Sequence, residues 1–159
     1  MSKENCRIWI VDDNKEFLRD LEFALRLEGW EVSPYDDPIK FLEELNFDCP
    51  GCIILDVRMP ILSGDEVQEH LLSKNCPLPV IFLTGHGDMN LAIHTFRHGA
   101  FDFIQKPFDP DYLFAAIEKA LKIGKQKGQR KNLRSSLTVK NKCSLIFPKG
   151  CHQDLLLII

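Results

Sequence analysis

The chain switches between runs of apolar residues and stretches in which apolar residues recur at helical spacing, and each switch marks an element. Arg7 to Val11 is β-rich and stops at two adjacent carboxylates, Asp12 and Asp13. NKEFLRDLEFALRLEG follows, with Phe17, Leu18, Leu21, Phe23, Ala24, Leu25 and Leu27 at helical spacing; Asp13 or Asn14 can cap this helix and Gly29 can stop it. Trp30 to Tyr35 reads as a short strand, and DDPIKFLEELN as a helix begun by Asp36 or Asp37 with Pro38 at its first position. CIILD, ending at Asp56, is a third strand with no polar alternation, which predicts burial on both faces. After the MPILSG loop, DEVQEHLLSKN sets Val67, Leu71 and Leu72 on one helical face.

The same pattern then runs twice more. Val80 to Leu83 is an apolar strand ending at Thr84, followed by a weaker helix from about Met89 to Arg97 closed by Gly99. Phe101 to Gln105 is a fifth strand ending at Lys106 and broken by Pro107, and PDYLFAAIEKALKIG a fifth helix. Five βα units with crossovers long enough to join parallel strands predict an α/β fold, a flavodoxin-like, doubly wound, five-stranded parallel sheet.

Charge divides the chain. Residues 1–121 carry 11 Lys/Arg against 22 Asp/Glu, and residues 122–159 carry 9 against 1. The pattern predicts a folded acidic domain over 1–124, a basic linker over 125–136 and a short segment, 137–159, too small to bury a core of its own. The apolar runs are far shorter than the ~20 residues of a membrane-spanning helix and no signal peptide precedes them, so a cytoplasmic protein without membrane contact is expected. Six cysteines then read as reduced thiols. Cys49-Pro-Gly-Cys52 has redox-pair or half-zinc-site spacing, but no second ligand pair follows and the pair precedes its strand, so it reads as a turn.

In an open parallel sheet, ligands bind at the carboxyl ends of the strands. This sequence places Asp12 and Asp13 after the first strand, Asp56 at the end of the third, Thr84 after the fourth and Lys106 after the fifth. Three carboxylates brought within about 4 to 6 Å repel one another by a few kcal/mol unless a cation joins them. Mg²⁺ suits such a set: it takes hard oxygen ligands at roughly 2.0 to 2.1 Å and usually only one or two carboxylates plus phosphoryl oxygens. The Thr84 hydroxyl and the Lys106 ammonium are suited to bind the remaining oxygens of that phosphoryl group.

VDD at 11 to 13, LDVRMP at 55 to 60, Thr84-Gly85 and KPF at 106 to 108 resemble the receiver domain of bacterial two-component response regulators, over about residues 6 to 124. The resemblance implies that Asp56 is the phosphoacceptor, taking a phosphoryl group from a sensor histidine kinase or a small donor such as acetyl phosphate. It implies that Asp13, Asp56 and the backbone carbonyl of Arg58 hold Mg²⁺ directly, that Asp12 does so through water, and that the peptide before Pro107 is cis. Thr84 and Phe103 then form the switch pair, with Phe in place of the commoner Tyr, so a hydroxyl-based readout is lost. Arg58 and His86 occupy positions that resemble rate-tuning sites. A phosphorylation-dependent homodimer would use the fourth helix, fifth strand and fifth helix.

PGCIILDVRMP is similar to the subgroup joined to a LuxR-type helix-turn-helix output domain, and SLTVKNKCSLI partly resembles the opening of one. Asn141 replaces the usual acidic residue, Pro148 interrupts the helix and no recognition helix follows. A truncated or aberrant C-terminal segment is therefore expected, with no sequence-specific DNA binding by these residues. A stand-alone receiver acting through protein contacts is the alternative. A Mg²⁺-dependent aspartyl phosphohydrolase would carry a second Asp two residues after its nucleophile, where Arg58 stands, so turnover of an external substrate is not expected.

Overall fold

The computed structural model describes residues 5–85 and 99–124, and His86, the expected fourth helix and the basic tail lie outside them. Strand β1 (Arg7–Val11) leads to helix α1 (Lys15–Leu27), β2 (Glu31–Tyr35) to α2 (Pro38–Glu44), and β3 (Gly51–Asp56) to α3 (Gly64–Ser73). β4 (Val80–Thr84) and β5 (Asp102–Gln105) follow, and residues 110–124 are helical. The strands form one parallel sheet in the order β2-β1-β3-β4-β5, the flavodoxin-like arrangement expected.

Alternation along the strands sorts their side chains into two cores. Ile8, Ile10, Cys52, Ile54, Ile81, Leu83 and Ile104 face one helical layer, packed with Leu18, Leu21 and Leu25 of α1 and Leu113 and Ile117 of the 110–124 helix. Trp9, Val11, Ile53, Leu55, Val80 and Phe82 face the other, with Phe41 of α2 and Val67 and Leu71 of α3. β3 and β4 are buried along their whole length, which explains their unbroken hydrophobicity.

Several local expectations shift. Asn14, not Asp13, caps α1, and Asp37, not Asp36, caps α2; each side chain accepts from backbone N–H groups of the first turn. Phe23 and Leu27 lie on the outer side of α1, 66% and 72% exposed, because the sheet covers only the stripe of Leu18, Leu21 and Leu25. On α3 the buried polar residue is Gln68, while Leu72 is turned out. Trp30 and Phe101 fall just outside the ladders of β2 and β5. β3 begins one residue before CIILD, at Gly51, while Asp56 and Thr84 are the last residues of their strands, as the pattern implied. Cys6, Cys49, Cys52 and Cys76 are free thiols, and burial pushes the Cys52 thiol up, away from the thiolate that redox or metal chemistry needs. Among the described residues no helix is long and apolar enough to cross a membrane.

Candidate functional site

Register builds the site. Val11 pairs with Leu55, so Asp12 leaves the sheet level with Asp56; Asp56 pairs with Leu83, one residue before Thr84; and Thr84 pairs with Gln105, one residue before Lys106. Asp12, Asp56 and Thr84 are buried, whereas Asp13 is exposed. Carboxylate oxygens of Asp12, Asp13 and Asp56 lie within 4.8 Å of one another, and among the described residues this is the one group of three able to hold a metal ion. All three donors are hard oxygens, the kind a hard divalent cation takes.

The Lys106 ammonium donates to Asp12 Oδ2 at 2.6 Å and to Asp56 Oδ1 at 3.0 Å, bridging the ends of β1 and β3. The peptide between Lys106 and Pro107 is cis, and the Lys106 N–H donates to the Thr84 carbonyl at 2.6 Å. Backbone donors hold the buried carboxylates: the Asn14 N–H reaches Asp12 Oδ1 at 2.9 Å and the Arg58 N–H reaches Asp56 Oδ2 at 3.1 Å. Burial, and then the neighbouring Asp12 charge, push the Asp56 carboxyl above the usual carboxylate range, against the pull of Lys106 and the Arg58 N–H. Burial by itself would lower the Lys106 ammonium, but its bonds to Asp12 and Asp56 override this and hold it above the ordinary lysine value.

Thr84 stands at the rim with its hydroxyl donating to the Gly85 carbonyl at 3.1 Å. Phe103 is partly buried in the second core and stacked on Phe82, with ring centroids 6.3 Å apart. The Arg58 side chain is exposed. His86 lies outside the described residues, so the site brings together Asp12, Asp13, Asp56, Thr84 and Lys106.

Three further residues contribute to the site in ways the sequence did not show. The ring of Phe17, on the first turn of α1, lies under the Lys106 ammonium with its centroid 4.0 Å from Nζ. Asn14 ties that turn to Asp12. Gly64, which opens α3, sits so close to β3 that a Cβ there would lie 2.4 Å from the Asp56 carbonyl oxygen. The Ser-Gly after MPIL was the only signal for that contact, and it reads equally well as a helix start.

The order of the sheet and the acidic pocket at its carboxyl edge define a receiver-type α/β domain. Residues 8–118 match the family model of the response regulator receiver domain, and the chain belongs to that family. It is 40% identical over 132 residues to response regulator protein TodT of Pseudomonas putida, covering 83% of this chain and 57% of TodT. It is 39% identical over 115 residues to transcriptional regulatory protein FixJ of Bradyrhizobium diazoefficiens, covering 72% of this chain and 56% of FixJ. The solved structure of response regulator StyR matches with a TM-score of 0.80 at 34% identity, over 84% of this chain and 68% of that one. The chain thus spans less than three-fifths of the length of these two curated relatives.

Proposed function

We propose that this receiver accepts a phosphoryl group on Asp56 from a sensor histidine kinase. The observation that carries this reading is the Lys106 ammonium bridging Asp12 and Asp56 inside a pocket of three carboxylates. An Asp56 oxygen attacks the phosphorus of a phosphohistidine; a P–O bond forms as the P–N bond breaks, and the imidazole leaves with the electron pair and takes a proton from solvent. The reaction needs in-line positioning and charge neutralisation more than covalent help from the protein.

Mg²⁺ held by Asp13, Asp56 and the Arg58 carbonyl, and through water by Asp12, would supply charge neutralisation at the transferring oxygens. Lys106 then turns from the carboxylates toward the phosphoryl oxygens, and the Thr84 hydroxyl donates to another. Drawing Thr84 inward opens space beside Phe103, whose packing reports phosphorylation on the surface that includes β5 and the 110–124 helix. That surface mediates homodimer formation. The acyl phosphate is lost by hydrolysis at a rate set at Arg58 and His86, and no external substrate is turned over.

Residues 1–124 form the receiver and 125–136 a basic linker; control of transcription is the output this reading favours, because the similar FixJ is named a transcriptional regulatory protein. Intact-mass spectrometry after incubation with acetyl phosphate and Mg²⁺ tests the reading. The wild-type chain should gain one phosphoryl group and Asp56→Asn none; equal labelling of both would overturn it.

A further inference from the structure

Lys106 has more than two partners. Its ammonium lies 4.0 Å from the centroid of Phe17, and Phe17 meets Phe108 edge-to-face at 6.3 Å with an interplanar angle of 88°. Both rings are half-buried against the first core. The three groups come from separate places: Phe17 from the first turn of α1, Lys106 from the end of β5, and Phe108 from just beyond the cis peptide. An ammonium over a ring face is attracted by the ring quadrupole, and the attraction grows as water is excluded.

We propose that Phe17 is a positioning residue, its ring braced by Phe108 and holding the Lys106 ammonium over Asp56. The proposal rests on Asp56 being the phosphoacceptor. Lys106 is spent on Asp12 and Asp56 in the structure, and it must release them to meet a phosphoryl oxygen. A flexible four-carbon lysine freed from its carboxylates would sample many rotamers. The ring is a partner that does not change charge or leave when the phosphoryl group arrives, so it keeps the ammonium on the Asp56 side throughout. An aliphatic residue could fill the same space without supplying this attraction.

The test compares Phe17→Leu, Phe17→Met and Phe17→Tyr, each first checked for folding by its thermal melt. Leu and Met keep most of the packing; Tyr keeps the aromatic face. The rate of Asp56 phosphorylation by acetyl phosphate with Mg²⁺ should fall roughly 3- to 10-fold in Leu and Met and return to near the wild-type rate in Tyr. In a Lys106→Ala background the same substitutions should change the rate less than 2-fold or so, because the partner is gone. By NMR, the Lys106 side-chain methylene protons should show an upfield ring-current shift in wild type and Tyr that disappears in Leu and Met. A folded Leu or Met variant with the wild-type rate, or an equal loss in the Lys106→Ala background, would overturn the proposal. Failure of the wild-type chain to be phosphorylated would overturn the phosphoacceptor reading instead, and the ring-current shift would still decide whether the aromatic seat exists.

Discussion

Asp56 is a carboxylate in a place that resists ionisation: it is buried at the end of β3 and faces Asp12. Its folded pKa is raised, so its contribution to stability is full below the unfolded carboxylate value of about 3.9 and is lost as pH rises through the folded value. At neutral pH the ionised group therefore opposes folding. Metal-free Asp56→Asn should melt at a higher temperature than wild type at pH 7, with the difference shrinking as pH falls through the carboxylate range. A variant that melts lower at pH 7 would contradict this reading. Lys106, also raised, behaves in the same algebraic sense at the other end: its contribution is full below its unfolded value near ~10.4 and is lost as pH rises through the folded value.

Helix α1 links stability to the site. The Asn14 side chain accepts from the N–H groups of Glu16 and Phe17, so Asn14→Ala should cost about 1 kcal/mol in denaturant melts. On the same helix, Leu25→Ala should cost about 2 to 5 kcal/mol because Leu25 is fully buried, while Phe23→Ser should stay within ~0.5 kcal/mol. Both were grouped as apolar helix positions in the sequence, but residues two apart lie on opposite faces of a helix, so Phe23 points away from the sheet that Leu25 packs against. The start of α3 is equally constrained. Gly64→Ala would press a methyl group against the Asp56 carbonyl and the Val57 Cα, and overpacking of this kind costs about 1 to 3 kcal/mol and shifts Asp56 itself. The expected result is a lower melting temperature together with slower phosphorylation.

For the molecule as a whole, four of the five strands and their carboxyl ends were legible because the run stops at a polar candidate residue, Asp12, Asp56, Thr84 or Lys106, while β2 was read from its short β-rich stretch alone. What the sequence could not convey was which groups meet across the sheet. The bridge from Lys106 to both carboxylates depends on strand order and register, and the Phe17 ring beneath it depends on where the first turn of α1 lies against the end of β5. Gln68 is buried by α3, and an apolar pattern built on Val67, Leu71 and Leu72 gives no sign of it. Mg²⁺ bound only by the folded pocket should stabilise the domain by RT ln(1 + [L]/Kd), about 2.7 kcal/mol at one hundred times Kd. Thermal melts with and without Mg²⁺ should show that rise in wild type and a much smaller one in Asp13→Asn.

The most direct measurement is the position of the modified residue. After incubation with acetyl phosphate and Mg²⁺, reduction of the acyl phosphate with borohydride converts the phosphorylated aspartate to homoserine, which peptide mass mapping can locate. Homoserine at position 56, and at neither 12 nor 13, is the expected result. Conversion at either of those two positions, or at none when donor and metal are both present, would contradict the account.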